Sequence, residues 1–231
     1  MALPATVAIV PAAGSGSRMG RSSPKQFLRV GGVPVLVRTL AALAGSRVIG
    51  GIVVVAPPAA VERARRLLAR HRVPRVLAVV AGGRERQESV WLGLQAVPVT
   101  ANLVVVHDGV RPFITGRLVR DVVVAAERFG AASCGLPVGE TVKRAREGFV
   151  EATLDRDGLW LVQTPQAFRR TLLGEAHEKA RRDGFLGTDD AVLVERLGAP
   201  VRMVRGLAEN LKITTPEDRV RARRLAVRHL R

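Results

Sequence analysis

The sequence predicts an α/β fold in which a mostly parallel sheet carries helices on both faces. Three observations lead there. Short β-branched runs alternate with segments of helical spacing, the runs are continuously apolar as strands covered on both faces are, and glycine or proline punctuates the boundaries.

The elements follow in order. TVAIVPAAG reads as a buried strand entering a glycine turn, and VPVLVRTLAALAG as a helix ending at Gly45. GIVVVAPP is a second strand, with a helix from about Ala59 to Arg70 behind it. RVLAVVAGG is a third strand closing on a second glycine turn, and QESVWLGLQAV its helix. ANLVVVHDG is the fourth strand, TGRLVRDVVVAAERFG a helix and AASCGLPV the fifth strand. The rhythm breaks after Pro137. GETVKRAREGFVEATLDRDGLW is polar, has scattered β-formers and lacks a helical period, so it reads as a hairpin-like insertion at about residues 138–158. Too polar to bury itself, it is expected to pack on another surface or another subunit. LVQTPQAF, two helical segments, the strand PVRMVRG and a final helix after Pro216 complete one domain spanning 1–231. In such folds sites lie beyond the carboxyl ends of parallel strands, so PAAGSGSRMG, AGGRERQES and HDGVRP should face one crevice.

Composition narrows the function. A chain of 231 residues, 47% hydrophobic and 25% charged, is globular rather than disordered. The single cysteine, Cys134, provides no disulfide framework and fits a reducing, cytoplasmic compartment. The opening MALPATVAIVPAAG lacks the basic n-region of a signal peptide, and no run of about 18 apolar residues predicts a membrane helix. The net charge of +17 suits an anionic partner: nucleic acid, a membrane surface or a phosphorylated small molecule. Aromatic content of 3% with no tyrosine leaves few stacking platforms for single strands. The arginine-rich segments VERARRLLARHRVPR and VRARRLAVRHLR have helical spacing (Val61, Leu67, Leu68; Val220, Leu225, Val227, Leu230) and read as surface helices.

The first 61 residues hold no acid, yet carry Arg18, Arg21, Lys25, Arg29, Arg38 and Arg47. Arg29, Arg38 and Arg47 read as a solvated basic face. Arg18 and Lys25 flank the glycine turn of VPAAGSGSRMGRSSPKQF, where backbone N–H groups can approach phosphate oxygens closely. The turn is no Walker A loop, because Arg18 and Met19 stand where Gly-Lys belongs. Nor is it a dinucleotide fingerprint, since Met19 takes the third glycine position and no acid precedes Glu62. Two cations on one phosphate loop instead suit a triphosphate under attack at its α-phosphorus. Asp108, just past a buried strand, is a candidate to hold Mg²⁺ beside nucleotide phosphates, or to cap the following turn. Arg111 nearby could meet an anionic substrate, His107 reads as a packed strand-end residue, and Ser89 stands at a helix start either as a cap or as a site residue. Only four lysines occur, which marks them as candidates for positions that require a compact ammonium: Lys179 lies on what reads as an exposed helix face, while Lys25, Lys143 and Lys212 fall in loop-like or short irregular strand segments.

As an ordered set, PAAGSGSRMG, PKQF, GGRERQESV, HDGVRPF, TVKRA, LDRDGLWLVQTPQAF, GTDDA and NLKITTPED resemble the 2-C-methyl-D-erythritol 4-phosphate cytidylyltransferase family over nearly the whole chain. The resemblance implies a Rossmann-like domain with a β-arm that embraces a second subunit, CTP and 2-C-methyl-D-erythritol 4-phosphate as substrates, and Mg²⁺ held mainly by phosphates. It implies that Ala12, Ala13, Gly14, Gly83 and Ser89 surround the cytosine and ribose, and that Arg18 and Lys25 grip the triphosphate. Asp108 would lie by the ribose and metal. Arg111, Thr141, Lys143, Arg156 and Thr164 would form the methylerythritol phosphate site, with Arg156 and Lys212 orienting the attacking phosphate. Glu140, Val192 and Arg84 depart from common family residues without touching that chemistry. A ribitol- or glycerol-phosphate cytidylyltransferase shares the glycine loop, but TVKR and DRDGLW favour methylerythritol phosphate. A basic nucleic-acid-binding protein accounts for the charge alone. Neither a specific nucleic acid nor a membrane is expected as a partner.

Overall fold

In the computed structural model, which describes residues 6–14 and 25–228 (the side chains of Lys25 and Arg228 excepted), the first apolar run forms the buried strand β1 (Thr6–Pro11). A 3-10 turn, Lys25–Phe27, leads into a miniature hairpin, β2 (Arg29–Val30) and β3 (Val33–Pro34), and the sequence reading begins its helix at the second of these strands. Gly31 and Gly32 make its turn at φ +57° and +77°, the left-handed pair that a tight hairpin requires. Arg38 donates to the carbonyls of Val30 (2.8 Å) and Gly31 (3.3 Å), so it clamps the hairpin instead of lying on a solvated face. The helix itself, α1 (Val35–Ala44), ends at Gly45 as predicted.

Next come β4 (Gly51–Ala56), α2 (Val61–Arg70) after a 3-10 turn at Pro58–Ala60, β5 (Val76–Ala81), α3 (Arg86–Gln95) and β6 (Leu103–Val106). α4 (Gly116–Phe129) is capped by the Thr115 hydroxyl, which accepts from the Leu118 N–H at 3.2 Å. It is followed by β7 (Ala131–Pro137), the hairpin β8 (Val142–Arg146) and β9 (Phe149–Leu154), and β10 (Trp160–Arg169). α5 (Arg170–Arg182), α6 (Ala191–Glu195), β11 (Arg202–Arg205) and α7 (Pro216–Arg228) close the chain.

Seven strands form one sheet in the order β11-β7-β10-β6-β1-β4-β5, parallel except for β10, which runs against both its neighbours. Side chains alternate across the pleat, so each strand feeds two cores. Ala8, Val10, Ile52, Val54, Leu103 and Val105 pack under α1, α2 and α4. Val7, Ile9, Val53, Val55, Val104 and Val106 pack under α3, α5 and α6. This double coverage is why the strands read as unbroken apolar runs. The chain leaves β1 toward β4 and β5, then returns to place β6 on the other side of β1. That reversal opens a crevice beyond the carboxyl ends of β1 and β6.

Two surface features depart from expectation in detail. α7 is a surface helix, but its buried face is Ala222 and Ala226, packed with Val30, Phe113 and Ile213, while Val220 and Val227 are exposed. Alanine lets the helix sit close to the β2–β3 hairpin. The polar insertion is a separate antiparallel hairpin of β8 and β9, turned by Glu147 and Gly148 at φ +51° and +87°. β7 and β10 extend together beyond the core to carry it, with Trp160 opposite Pro137. Phe149 is 79% and Val150 63% exposed, an apolar tip uncovered by its own chain.

Candidate active site

The crevice has a volume of about 360 Å³, and all three expected loops reach it. Beyond β1, the Ala12 N–H still donates to Val55 O (2.7 Å), and the buried Gln26 amide donates to Ala12 O (2.6 Å). That bond fastens the 3-10 turn beginning at Lys25 against the glycine loop, and Arg63 stacks 4.3 Å from the Phe27 ring to hold the turn from outside. Ala12, Ala13, Gly14 and Gln26 all line the crevice. Arg18 lies outside the described residues, as does the Lys25 side chain.

The second loop is held by close packing. A Cβ on Gly82 would stand 2.5 Å from Ala13 Cβ and 2.8 Å from Ser89 Oγ, so only glycine fits between the loops. Ser89 is not the helix cap; Glu85 occupies that position. The Ser89 hydroxyl accepts from the Gly83 N–H (3.2 Å) and donates to Glu85 O (3.0 Å), which fixes Gly83 at the crevice wall.

The third loop supplies the floor. Asp108 is buried, and its carboxylate meets three cations: Arg86 Nε at 3.3 Å on one oxygen, with Lys212 Nζ at 2.9 Å and Arg111 Nε at 3.4 Å on the other. Burial works to raise its pKa, but Arg86, Lys212 and Arg111 outweigh burial and hold the carboxyl well below the usual range. His107 sets the backbone beneath. Its Nε2 faces Arg111 O at 3.1 Å, and a carbonyl only accepts, so Nε2 carries the proton. The Thr164 hydroxyl then donates to Nδ1 (3.1 Å) while accepting from the Asp108 N–H (3.0 Å). Burial lowers the His107 pKa to about 4, so the ring is neutral near pH 7, which agrees with a packed strand-end role.

Lys212 is aimed by its neighbours. Asn210 is buried and donates to Thr164 O (2.7 Å), its own carbonyl accepts from Arg111 (2.8 Å), and the Ile213 N–H donates to Val110 O (2.9 Å). Beyond this segment Thr215 and Asp218 cap α7 reciprocally: Asp218 N–H to Thr215 Oγ1 at 3.2 Å, Thr215 N–H to Asp218 Oδ2 at 2.9 Å. The sequence-predicted Ala12, Ala13, Gly14, Gly83, Ser89, Asp108 and Lys212 therefore converge. Arg111 and Thr164 lie one layer beneath, against Asp108. Thr141, Lys143 and Arg156 stay on the exposed arm, where Lys143 donates to Thr153 Oγ1 (2.5 Å) and Arg156 to Gly139 O; no arm residue lines the crevice.

Sequence reasoning missed Arg86. Its guanidinium bridges Asp108 and the buried Asp190, with Nη1 2.7 Å from Asp190 Oδ2. Burial would lower its pKa, yet Asp190 and Asp108 together keep it above the ordinary guanidinium value. The only local signal was a basic residue just past the glycine pair. Among the described residues no group of three or more His, Cys, Asp and Glu could hold a metal. A hard divalent cation on nucleotide phosphates needs only one or two carboxylates. An ionised carboxylate offers about four acceptor directions, of which the three cations of Asp108 take three. The donor set thus fits a cation held mainly by phosphates, with Asp108 as a single protein ligand.

The model of the 2-C-methyl-D-erythritol 4-phosphate cytidylyltransferase family matches residues 6–227. A protein of that name from Geobacillus kaustophilus (strain HTA426) is 50% identical over 211 residues, 91% of this chain and 92% of its own length. Another, from Syntrophus aciditrophicus (strain SB), is 48% identical over 221 residues, 95% and 94% of the two chains. The crystal structure of the Thermus thermophilus protein of the same name superposes with a TM-score of 0.80 at 39% identity, covering 95% of this chain and 98% of that one.

Proposed function

The chain belongs to the 2-C-methyl-D-erythritol 4-phosphate cytidylyltransferase family, and from that premise we propose how its crevice joins CTP to 2-C-methyl-D-erythritol 4-phosphate. A phosphate oxygen of the sugar phosphate attacks the CTP α-phosphorus in line. The bond to the β-phosphate oxygen breaks, pyrophosphate leaves, and 4-diphosphocytidyl-2-C-methyl-D-erythritol forms. The observation that carries this reading is the ionised Asp108 among three cations, at the point where the glycine loop, the second glycine turn and Lys212 meet.

Ala12, Ala13, Gly14, Gly83 and Ser89 present backbone and small side chains to the cytosine and ribose, with Asp108 beside the ribose. Arg18 and Lys25 grip the triphosphate and neutralise charge that builds on it in the transition state. Lys212 and Arg156 orient the attacking phosphate. Arg111, Thr141, Lys143 and Thr164 complete the sugar-phosphate site, Arg111 and Thr164 acting through Asp108. A phosphate monoester, with its second pKa near 6, is largely dianionic at neutral pH, so no side chain need remove a proton. The neutral, buried His107 accords with that. Nucleotidyltransferases of this family generally use divalent cations. Mg²⁺ bound to the phosphates, with Asp108 as its protein ligand, would supply charge neutralisation between them.

The arm carries Thr141, Lys143 and Arg156 with an exposed apolar tip, which supports a homodimer in which one protomer's arm completes its partner's site. Among the described residues no helix is long and apolar enough to cross a membrane. A cytoplasmic location and the single 1–231 domain with its arm at about 138–158 belong to the same proposal. The test is pyrophosphate release from CTP with Mg²⁺ and either methylerythritol phosphate or ribitol 5-phosphate. Release with the first alone is expected. Release with ribitol phosphate alone would overturn the acceptor assignment, and silence with both would overturn the reaction.

A further inference from the structure

Behind the crevice floor runs a chain of buried charge that the proposed chemistry leaves without a task. Arg86, at the start of α3, directs Nε to Asp108 Oδ1 (3.3 Å) and Nη1 to Asp190 Oδ2 (2.7 Å). The other oxygen of Asp190 stands 3.3 Å from His177 Nε2 on α5, and both residues are fully buried. The Asp190 N–H donates to Gln166 Oε1 on β10 (3.2 Å), and the His177 ring centroid lies 6.0 Å from that of Trp91 on α3. Asp190 is thus held by Arg86 and Gln166, while its second oxygen faces His177 without a hydrogen bond. It stands in the N-cap position of α6, but its carboxylate caps nothing; the neighbouring Asp189 accepts from the Val192 N–H instead (3.1 Å). A charge buried this deeply must be matched by a partner, and here the partner is the same arginine that touches the floor.

We propose that Asp190 is a positioning residue for cytidylyl transfer: it fixes Arg86, and through it the place of Asp108 between Arg86 and Lys212. The inference rests on the function proposed above. A guanidinium is a rigid fork, so a carboxylate that captures one nitrogen sets the direction of the others. Asp190 holds the outer nitrogen and leaves only Nε to Asp108. Without the Asp190 charge the half-exposed fork closes on Asp108 with two nitrogens and draws that carboxylate from Lys212. Nucleotide binding and turnover then suffer.

The experiment compares Asp190→Asn in the wild-type and Arg86→Ala backgrounds. The readouts are kcat, the KM for each substrate, calorimetric CTP binding without the second substrate, and the melting temperature. Asp190→Asn is expected to lower kcat/KM for CTP by about 10–100-fold and to weaken CTP binding itself. In the Arg86→Ala background the same substitution should add less than about twofold, because the mediator is gone. Wild-type CTP kinetics in Asp190→Asn, or an effect of equal size in both backgrounds, would overturn the proposal. Should Asp190→Asn fail to fold, Arg86→Lys keeps the charge without the fork. It is expected to weaken CTP binding in the same way, and unchanged CTP kinetics there would equally refute it. Turnover by the wild-type protein checks the functional assignment separately, and the CTP titrations decide the positioning claim even if that turnover is missing.

Discussion

Removing the Lys212 ammonium separates chemistry from folding. Lys212 Nζ sits 2.9 Å from Asp108 Oδ2 with its side chain 39% exposed. In Lys212→Ala, Asp108 keeps Arg86 at 3.3 Å and Arg111 at 3.4 Å, so it remains ionised and paired. A half-exposed ion pair contributes about 0–1 kcal/mol, which for a chain of this size lowers Tm by at most ~4 °C. The rate is another matter. A fixed cation facing charge that develops during reaction is worth about 10²–10³ in kcat, or ~3–4 kcal/mol. The assay is pyrophosphate release at saturating CTP and methylerythritol phosphate, with a thermal melt by circular dichroism on the same sample. Lys212→Arg should recover little, because a planar fork does not replace a compact ammonium at this contact. A folded Lys212→Ala protein with kcat within about threefold of wild type would refute the role of Lys212. A Tm loss well beyond the stated figure would show that the residue serves the fold.

Asp108→Asn is the opposite case, since it strips the common partner from three cations; it should cost about 3–5 kcal/mol of stability, read by urea unfolding, and abolish turnover. Acid should weaken the fold in two steps. The folded-state pKa of His107 is lowered to about 4, so its contribution is complete above the unfolded value and falls away between about pH 6.5 and 4, a loss on the order of 3 kcal/mol. Asp108 and Asp190, both held below the carboxylate range, keep their contributions above about pH 4 and lose them only below it. A melting temperature that stays flat from pH 7 to pH 4.5 would contradict the first step. At the arm, Phe149→Asp should shift sedimentation from dimer to monomer and raise the KM for methylerythritol phosphate while leaving calorimetric CTP binding unchanged; an unaltered sedimentation coefficient would count against the arm as the interface.

Much of this architecture was legible in the sequence, and its gaps have physical causes. β1, β4 and β6 announce themselves because a strand covered on both faces has no polar side. Asp108 is readable as a residue of the crevice because it follows such a strand directly. The antiparallel direction of β10 is not written in LVQTPQAF; it follows from the arm, which carries the chain outward along β7 and returns it inward beside the same strand. β3 was absorbed into the predicted helix because VPVLV suits either state, and β2 was not read as a strand, although Gly31-Gly32 was the available signal for a tight turn. Of the stripe expected on α7, Leu225 packs against the buried cluster and Leu230 lies outside the described residues, while Val220 and Val227 face outward because two alanines, Ala222 and Ala226, allow close approach. Arg86 and Asp190 are 104 positions apart, and no local pattern pairs residues at that range.

Direct displacement at the α-phosphorus is the centre of the account, and its stereochemistry reports on it without reference to any single residue. The protein would be given CTP with sulfur at one defined α-phosphorus position together with methylerythritol phosphate, and the configuration of the thio-product read by phosphorus NMR. One in-line attack by the substrate phosphate inverts that centre, and inversion is the predicted result. Retention would mean two successive displacements through a cytidylyl-enzyme, and would contradict the mechanism derived from this crevice.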